Sequence, residues 1–453
     1  MLLFCPHNTQ RLKYIVDFCS KELFDTPIEI TTDPAVFSVA AGPKINYSAD
    51  PHPATASSGA GTASSSDTPH PAALHIRPAG LLFATGITSQ SITCFDHNGR
   101  KAFFATSGDF PFDIFSAIFY LITRYEEYLP HEKDEYGRYA HTNSLAWREG
   151  FLDLPLVNYW LQDLREALTR RFPDLVFRYP VFKFVPTYDI DIAWSFLHKG
   201  WKRNVGGALK ALVTGKWLEL KLRVDVLAGR KPDPFDCYEW LDSVHLYCRL
   251  KPYYFFLVPA QNKGIDKNIL PSSPGLQQLV QYHGAGYRIG VHPSWQSGDE
   301  PHLLKEEIEW LETMAGQTIT RSRQHYLRFT IPDTCHRLLA HGIRQEFSMG
   351  YGTINGFRAS IASSYYWYDL EKEQTTLLRI FPFCFMDANA YYEQRYTAPR
   401  AMQELMHYYR HIRKVNGLMV TIWHNHFLGT DPQFAGWREV YEVFLKEEIF
   451  WAS

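Results

Sequence analysis

The chain has 453 residues, 45% of them hydrophobic and 15% aromatic, with a formal net charge of −2. So much apolar material excludes a chain disordered throughout and is enough for two or three packed domains. A charge this close to zero gives no reason to expect nucleic acid as a partner, and no apolar run of about 18 residues appears, so no membrane-spanning helix is expected.

The N-terminal Met1 to His7 has no basic stretch leading into an apolar core, so a cytoplasmic protein is expected. Leu12 to Leu23 has helical spacing, and a short strand is expected around Ile28-Glu29-Ile30. Residues 49–72 are of low complexity, cannot bury apolar surface and predict a mobile loop. Leu81 to Thr106 suggests strands, with Asp96-His97-Asn98-Gly99 as a hairpin turn. From Asp113 to Tyr128 a helix is predicted by Phe115, Ile118, Phe119, Ile122 and Tyr125; Glu126 and Glu127 at its end read as a solvated face. The stretch 156–172 is amphipathic, and a first, smaller α/β domain of unassigned role is expected over residues 1–178.

The second domain, 179–453, opens with the apolar strand 181–188. A helical insertion follows over 192–250, with nine Lys and Arg between 199 and 231 against Glu219 and Asp225, and with Trp194, Trp201 and Trp217 interleaved. That segment reads either as a helical cover with a basic outer face or as a surface for an anionic glycan or a lipid headgroup. Further strands are expected at 253–258, 287–292, 326–330, 376–385 and 417–423, and helices at 274–283, 301–315, 332–342, 399–411 and 437–446. Strands alternating with helices imply a parallel sheet covered by helices. The seven cysteines, at 5, 19, 94, 237, 248, 335 and 384, are scattered with no CxxC pair, which suits reduced thiols.

The strand 181–188 runs into Asp189-Ile190-Asp191. Side chains two apart on a strand share a face, so both carboxylates are expected at one mouth of a sheet or barrel. Two like charges held together call for a cation or a shared proton. Polar residues end other predicted strands: Gly290-Val291-His292-Pro293-Ser294, the donor-rich Arg321 to Arg328 with His325, Gly356-Phe357-Arg358, and Thr421-Ile422-Trp423-His424-Asn425-His426. The ends of different parallel strands converge on the ligand-binding mouth of such folds. Asp387, after Phe381 to Met386, reads either as a helix cap or as the partner that orients an imidazole.

Together these segments resemble the polysaccharide deacetylase family, the NodB-homology group of carbohydrate esterases. Thr187-Tyr188-Asp189-Ile190-Asp191 is similar to its first motif, Gly290 to Ser294 to the start of its second, Gly356-Phe357-Arg358 to its third and Ile422-Trp423-His424 to its fifth. The resemblance covers about 181–430 and implies an α/β chain. Its C-terminal part would be a distorted (β/α) barrel of the polysaccharide deacetylase type, preceded by the smaller N-terminal α/β domain.

The activity implied is removal of an N-acetyl group from a sugar of a glycan or glycan precursor, with a divalent metal, Zn²⁺ by preference. On the family pattern Asp189 is the general base, His424 the acid, Arg358 the group that orients Asp189, and Asp387 the group that orients His424. Asp191 and His292 are metal ligands; Arg328, Trp423 and Asn425 are expected against the carbohydrate. Three departures stand out: Ile190 separates the acids, Gln296 replaces a second-motif histidine, and Ala359-Ser360 replaces a Pro-Pro. His325 is expected as third ligand in place of that histidine. Gln296 also supports the opposite reading, a catalytically degenerate module that binds glycans or scaffolds an assembly. Peripheral contact with a membrane or a lipid-linked glycan is expected from the basic insertion. His426 is expected to be merely exposed.

Overall fold

The computed structural model describes residues 1–52 and 73–449. From residue 53 onward the low-complexity stretch expected as a mobile loop lies outside the described residues.

Near the N-terminus four short strands, β1 (Leu2–Phe4), β2 (Glu29–Thr31), β3 (Lys44–Asn46) and β4 (Leu74–His75), form a parallel sheet in the order β2-β1-β3-β4. The helix Gln10–Leu23 starts at Thr9, whose hydroxyl accepts the Leu12 N–H, and buries Leu12, Ile15, Cys19 and Leu23. Of the strands expected over 81–106 only a hairpin forms, β5 (Phe95–His97) and β6 (Arg100–Ala102). Its turn is Asn98-Gly99 with φ of 51° and 71°, the left-handed pair that a two-residue hairpin needs.

The predicted helix 113–128 is shorter than its apolar pattern suggests. It spans Ile114–Ile122, capped by Asp113, and the left-handed Arg124 (φ 55°) then turns the chain into the 3₁₀ turn Tyr125–Tyr128. That turn carries Glu126 and Glu127 inward. Both are buried rather than solvated, because Arg124 Nε donates to Glu127 Oε1 at 2.7 Å and Arg124 Nη2 to Glu126 Oε1 at 2.8 Å.

Nine strands make the main sheet: β7 (Lys183–Ile190), β8 (Tyr253–Leu257), β9 (Arg288–His292), β10 (Arg321–Ser322), β11 (Gln345–Glu346), β12 (Tyr365–Asp369), β13 (Gln374–Ile380), β14 (Phe385–Met386) and β15 (Leu418–His424). Their order is β12-β13-β11-β10-β9-β8-β7-β15-β14, parallel throughout except for the β12/β13 pair at one edge. β13 and β14 lie on one stretch of chain, and this stretch closes the sheet into a distorted barrel. Phe381 N–H donates to Glu346 O at 2.8 Å on the β11 side. Phe383 N–H then reaches Met349 O at 3.2 Å, and Cys384 N–H reaches Val420 O on β15 at 3.2 Å.

Alternation along the strands sorts the side chains. Tyr253, Phe255, Phe347, Phe383, Val420 and Ile422 fill the barrel. Tyr188, Tyr254, Phe256, Val291 and Trp423 face outward into a second apolar core under the helices. That outer core is continuous with the N-terminal region, where Tyr14 Oη donates to Tyr366 O at 2.7 Å and Arg11 pairs with Glu373.

The strand expected at 326–330 does not form. Its place is taken by β10 and a tight turn over His325–Leu327, in which Tyr326 and Leu327 have φ of 56° and 51°. β12 escapes the sequence pattern because Tyr365–Asp369 is an edge strand with aromatic residues on both faces. The insertion 192–250 holds the helices Gly200–Val213, Trp217–Leu227 and Tyr238–Tyr247.

Candidate metal centre

The polar residues gather where the parallel strands end. Asp189 is the penultimate residue of β7 and pairs in register with His424, the last residue of β15. Asp191 lies just beyond β7, His292 ends β9, His325 follows β10 and Asp387 follows β14. All but the fully buried Asp387 line a cavity of about 560 Å³.

Each of three imidazoles is fixed through Nδ1. His292 Nδ1 lies 2.5 Å from Arg323 O; a carbonyl oxygen only accepts, so this nitrogen carries a proton, and in the neutral ring Nε2 is the free lone pair. His325 Nδ1 meets Asp266 Oδ1 at 2.8 Å, and His424 Nδ1 meets Asp387 Oδ1 at 2.6 Å. The three Nε2 atoms converge on one carboxylate. His292 Nε2 is 3.1 Å from Asp191 Oδ1, His325 Nε2 is 3.6 Å from Asp191 Oδ2, and His424 Nε2 is 3.5 Å from that oxygen.

Asp191 Oδ1 is buried and has no hydrogen-bond partner. A carboxylate oxygen facing an imidazole lone pair at hydrogen-bond distance is repulsive unless positive charge lies between them. Asp191, His292 and His325, whose donor atoms all lie within 4.8 Å of one another, form a group able to hold a divalent cation. Carboxylate or carbonyl contacts behind each imidazole are the usual support of such a ligand set.

The local field agrees. Burial opposes charge on every group here, yet at Asp191, His325 and His424 the neighbours outweigh it. His325 and His424 together hold the Asp191 carboxyl well below the carboxylate range. Asp191 and Asp266 raise His325 to about 9, and Asp387 and Asp191 raise His424 to about 10. His426 feels the opposite balance: desolvation and the neighbouring His424 push it down to about 3.

Asp189 is held by a cation inside the barrel, and that cation is not the expected one. Arg323 Nη1 donates to Asp189 Oδ1 at 2.8 Å and to Thr187 Oγ1 at 2.6 Å, while its guanidinium lies 4.5 Å from the centre of the Phe255 ring. Arg358, expected in that role, sits elsewhere. Its Nε donates to Glu127 Oε1 at 2.8 Å, so it binds the N-terminal region to the barrel. Burial favours a neutral Glu127, but Arg358 and Arg124 outweigh it and bring that carboxyl down to about 2. Arg323 precedes His325 by two, so the strand period puts it one step deeper on the same face; that was the signal to read.

The three expected carbohydrate contacts also fall away. Trp423 points out of the barrel against Tyr441, with ring centres 4.2 Å apart. Asn425 is buried and donates to Ile192 O at 3.1 Å and Phe235 O at 3.0 Å, which braces two loops. Arg328 lies on Trp295 and donates to Trp295 O at 2.9 Å. The cavity is walled instead by Tyr136, Arg138, Lys267, Tyr326, Tyr392 and Arg395, from loops without periodic pattern. His426, expected to be exposed, is half-buried and lines it too.

Gln296 does not face the imidazoles. Its Nε2 donates to Asp266 Oδ2 at 3.0 Å and its backbone N–H to the same oxygen at 3.2 Å, so it steadies the carboxylate that holds His325. Asp387 orients His424, while its other anticipated role, a helix cap, is not taken: it accepts only the adjacent Ala388 N–H, and the helical turn Asn389–Glu393 has no side-chain cap.

Residues 1–173 match the model of a family of unknown function, DUF7033. No curated protein matches the chain. Among solved structures, a provisionally assigned polysaccharide deacetylase from Mycobacterium smegmatis is similar at 14% identity and a TM-score of 0.38, over 60% of this chain and 86% of that one. The polysaccharide deacetylase Bc1974 from Bacillus cereus is similar at 12% identity and a TM-score of 0.28, over 59% and 88% of the two chains. A mutant of BA3943, a CE4-family pseudoenzyme with restored enzymatic activity, is similar at 10% and 0.27, over 60% and 65%. Likenesses this distant leave the strand order and the site's own geometry to carry any functional reading.

Proposed function

We propose that the chain is a metal-dependent hydrolase that removes N-acetyl groups from a sugar of a glycan or glycan precursor. The observation that carries this reading is the convergence of three Nε2 atoms on Asp191, each imidazole braced from behind. Asp191, His292 and His325 would hold the cation. Two imidazoles and a carboxylate suit Zn²⁺ among common divalent ions. Such an ion, when bound, polarises an amide carbonyl and lowers the pKa of a water molecule.

The remaining steps belong to side chains. Arg323 holds Asp189 at the edge of the cavity, where it takes the proton from the attacking water as the C–O bond forms. His424, held by Asp387, faces the cavity through Nε2 and gives a proton to the nitrogen as the C–N bond breaks. A cavity of about 560 Å³ is within the range of sites for small organic ligands. The sugar assignment rests on the motif resemblance of residues 187–191, 290–294 and 422–424.

The test is metal analysis of the purified protein joined to acetate release from N-acetylated oligosaccharides. Stoichiometric divalent metal, lost in Asp191→Ala and His292→Ala together with chelator-sensitive acetate release, is the expected result. Metal without acetate release would make the protein a glycan-binding module; neither would end the proposal.

A further inference from the structure

The helix Gly200–Val213 is amphipathic the wrong way round for a folded protein, and it forms a hairpin with Trp217–Leu227, which also exposes large apolar side chains. In the first helix Trp201, Val205, Leu209 and Leu212 recur at steps of four, four and three, the spacing of a single helical face. That face should meet a core, yet it faces solvent: Trp201 is 72% exposed and Leu209 57%. In the second helix Trp217 is 63% exposed and Leu218 85%. Across both helices only Ala211, Arg223 and Val226 are buried. Nine of the twenty-four large apolar side chains exposed among the described residues lie within 201–227, so this is a patch and not the scatter normal to a protein surface.

The charge at its flanks has one sign. Residues 199–231 carry nine Lys and Arg against Glu219 and Asp225, in a chain whose net charge is −2. Both acids are already engaged, Glu219 by Arg223 at 3.2 Å and Asp225 by Arg230 at 2.9 Å. Lys202, Arg203, Lys210, Lys221 and Lys231 are exposed and have no carboxylate partner among the described residues. Exposed tryptophan and leucine flanked by lysine is the composition of a helix lying in the headgroup region of an anionic bilayer. A second copy of the chain is the poorer occupant, because a two-fold contact would bring these cations against their own counterparts. No helix among the described residues is long and apolar enough to cross a membrane, so the contact is with the surface.

The hairpin is also tied to the cavity. Asp233 at its far end accepts the N–H groups of Ser195 at 2.8 Å and Phe196 at 2.7 Å, in the loop that follows Asp191. Arg223 lies on Phe196, 4.5 Å from its ring centre. Arg203 Nη2 donates to Lys267 O at 3.1 Å, and Lys267 lines the cavity.

We propose that the hairpin 200–227 docks the protein on anionic lipid headgroups and holds the mouth of the cavity beside the bilayer surface. This surface acts independently of the metal centre, so Asp191→Ala leaves docking unchanged.

The test is co-sedimentation of the full chain with phosphatidylcholine vesicles that contain phosphatidylglycerol or lack it. Pelleting with the anionic vesicles alone is expected. It should be lost as salt rises from about 0.1 M to about 1 M and the screening length falls from about 10 Å to about 3 Å. Lys202→Gln/Lys210→Gln/Lys221→Gln should weaken partition by about a hundredfold, from the worth of a lysine at an anionic surface. Trp201→Ser/Trp217→Ser should weaken it independently of salt, and both variants should melt as the parent does, since these side chains are exposed. Three results would overturn the proposal: no pelleting of the folded protein, equal pelleting with both vesicles, or pelleting that the hairpin substitutions leave intact. Reversible self-association in ultracentrifugation, lost in Leu209→Asp/Leu218→Asp and accompanied by no vesicle binding, would assign the face to a second copy instead.

Discussion

Asp266 offers the sharpest test of the centre, because it touches no substrate and is not itself a ligand. Its Oδ1 meets His325 Nδ1 at 2.8 Å and the Trp295 N–H at 2.9 Å, while Oδ2 takes the Gln296 side chain at 3.0 Å. Asp266→Ala removes the acceptor that fixes both the tautomer and the ring plane of His325. The imidazole can then spin about its outer bonds, and its Nε2 no longer faces Asp191. Loss of such a supporting carboxylate costs about 10- to 100-fold in metal affinity, or about 1.4–2.7 kcal/mol. Asp266→Asn keeps a carbonyl acceptor for Nδ1–H without its charge and should fall near the lower bound, about tenfold. Competition of zinc against a chromophoric chelator reads both numbers directly. If Asp266→Ala binds zinc within about twofold of the parent, His325 is not a ligand and the centre must be redrawn around Asp191, His292 and His424.

Arg323→Met leaves Asp189 buried in the barrel without its cation and should cost about 3–5 kcal/mol of stability in chemical denaturation. Arg358→Met takes one of two cations from Glu127, which keeps Arg124, and should cost less than Arg323→Met; Glu127→Gln in that background should recover part of the loss, and no recovery would mean the pair is not coupled. Glu307 gives a pH signature: burial outweighs its contact with Ser294 and lifts its carboxyl to about 8. The folded chain therefore keeps a proton that the unfolded chain releases above about pH 4.3, so this contribution is full below that pH. It falls by up to about 1.4 kcal/mol per pH unit until pH reaches about 8. Glu307→Gln should flatten that slope in melts across the range, and an unchanged slope would show that the carboxylate is ionised in the folded protein.

Much of the barrel was legible because its strands are buried on both faces. Runs such as Tyr253 to Val258 and Leu418 to Trp423 are continuous, apolar and of strand length. Asp189, Asp191, His292 and His424 could be named because each stands where such a run stops, and the fold brings those ends together; His325 was named beside a strand at 326–330 that does not form. Apart from Asp387, groups that act through another side chain were hidden. Asp266 sits in Lys263 to Asn268, a loop with no period, and its link to His325 spans 59 positions. Arg358 misled because the resemblance of its segment to the third motif paired it with Asp189, whereas the fold supplies Glu127 from 231 positions away. Burial of Glu127 itself depends on the left-handed turn at Arg124, which no spacing rule foretells.

The seam that seals the barrel has a consequence for His424. One run of backbone, 381–384, bonds first to β11 and then to β15, and three residues later it delivers Asp387 to the imidazole. Breathing of that joint would let the carboxylate drift and the ring lose its orientation. The amides of Phe381, Phe383 and Cys384 thus become natural sentinels in hydrogen exchange: a substitution that loosens them should slow proton delivery before it unfolds anything else.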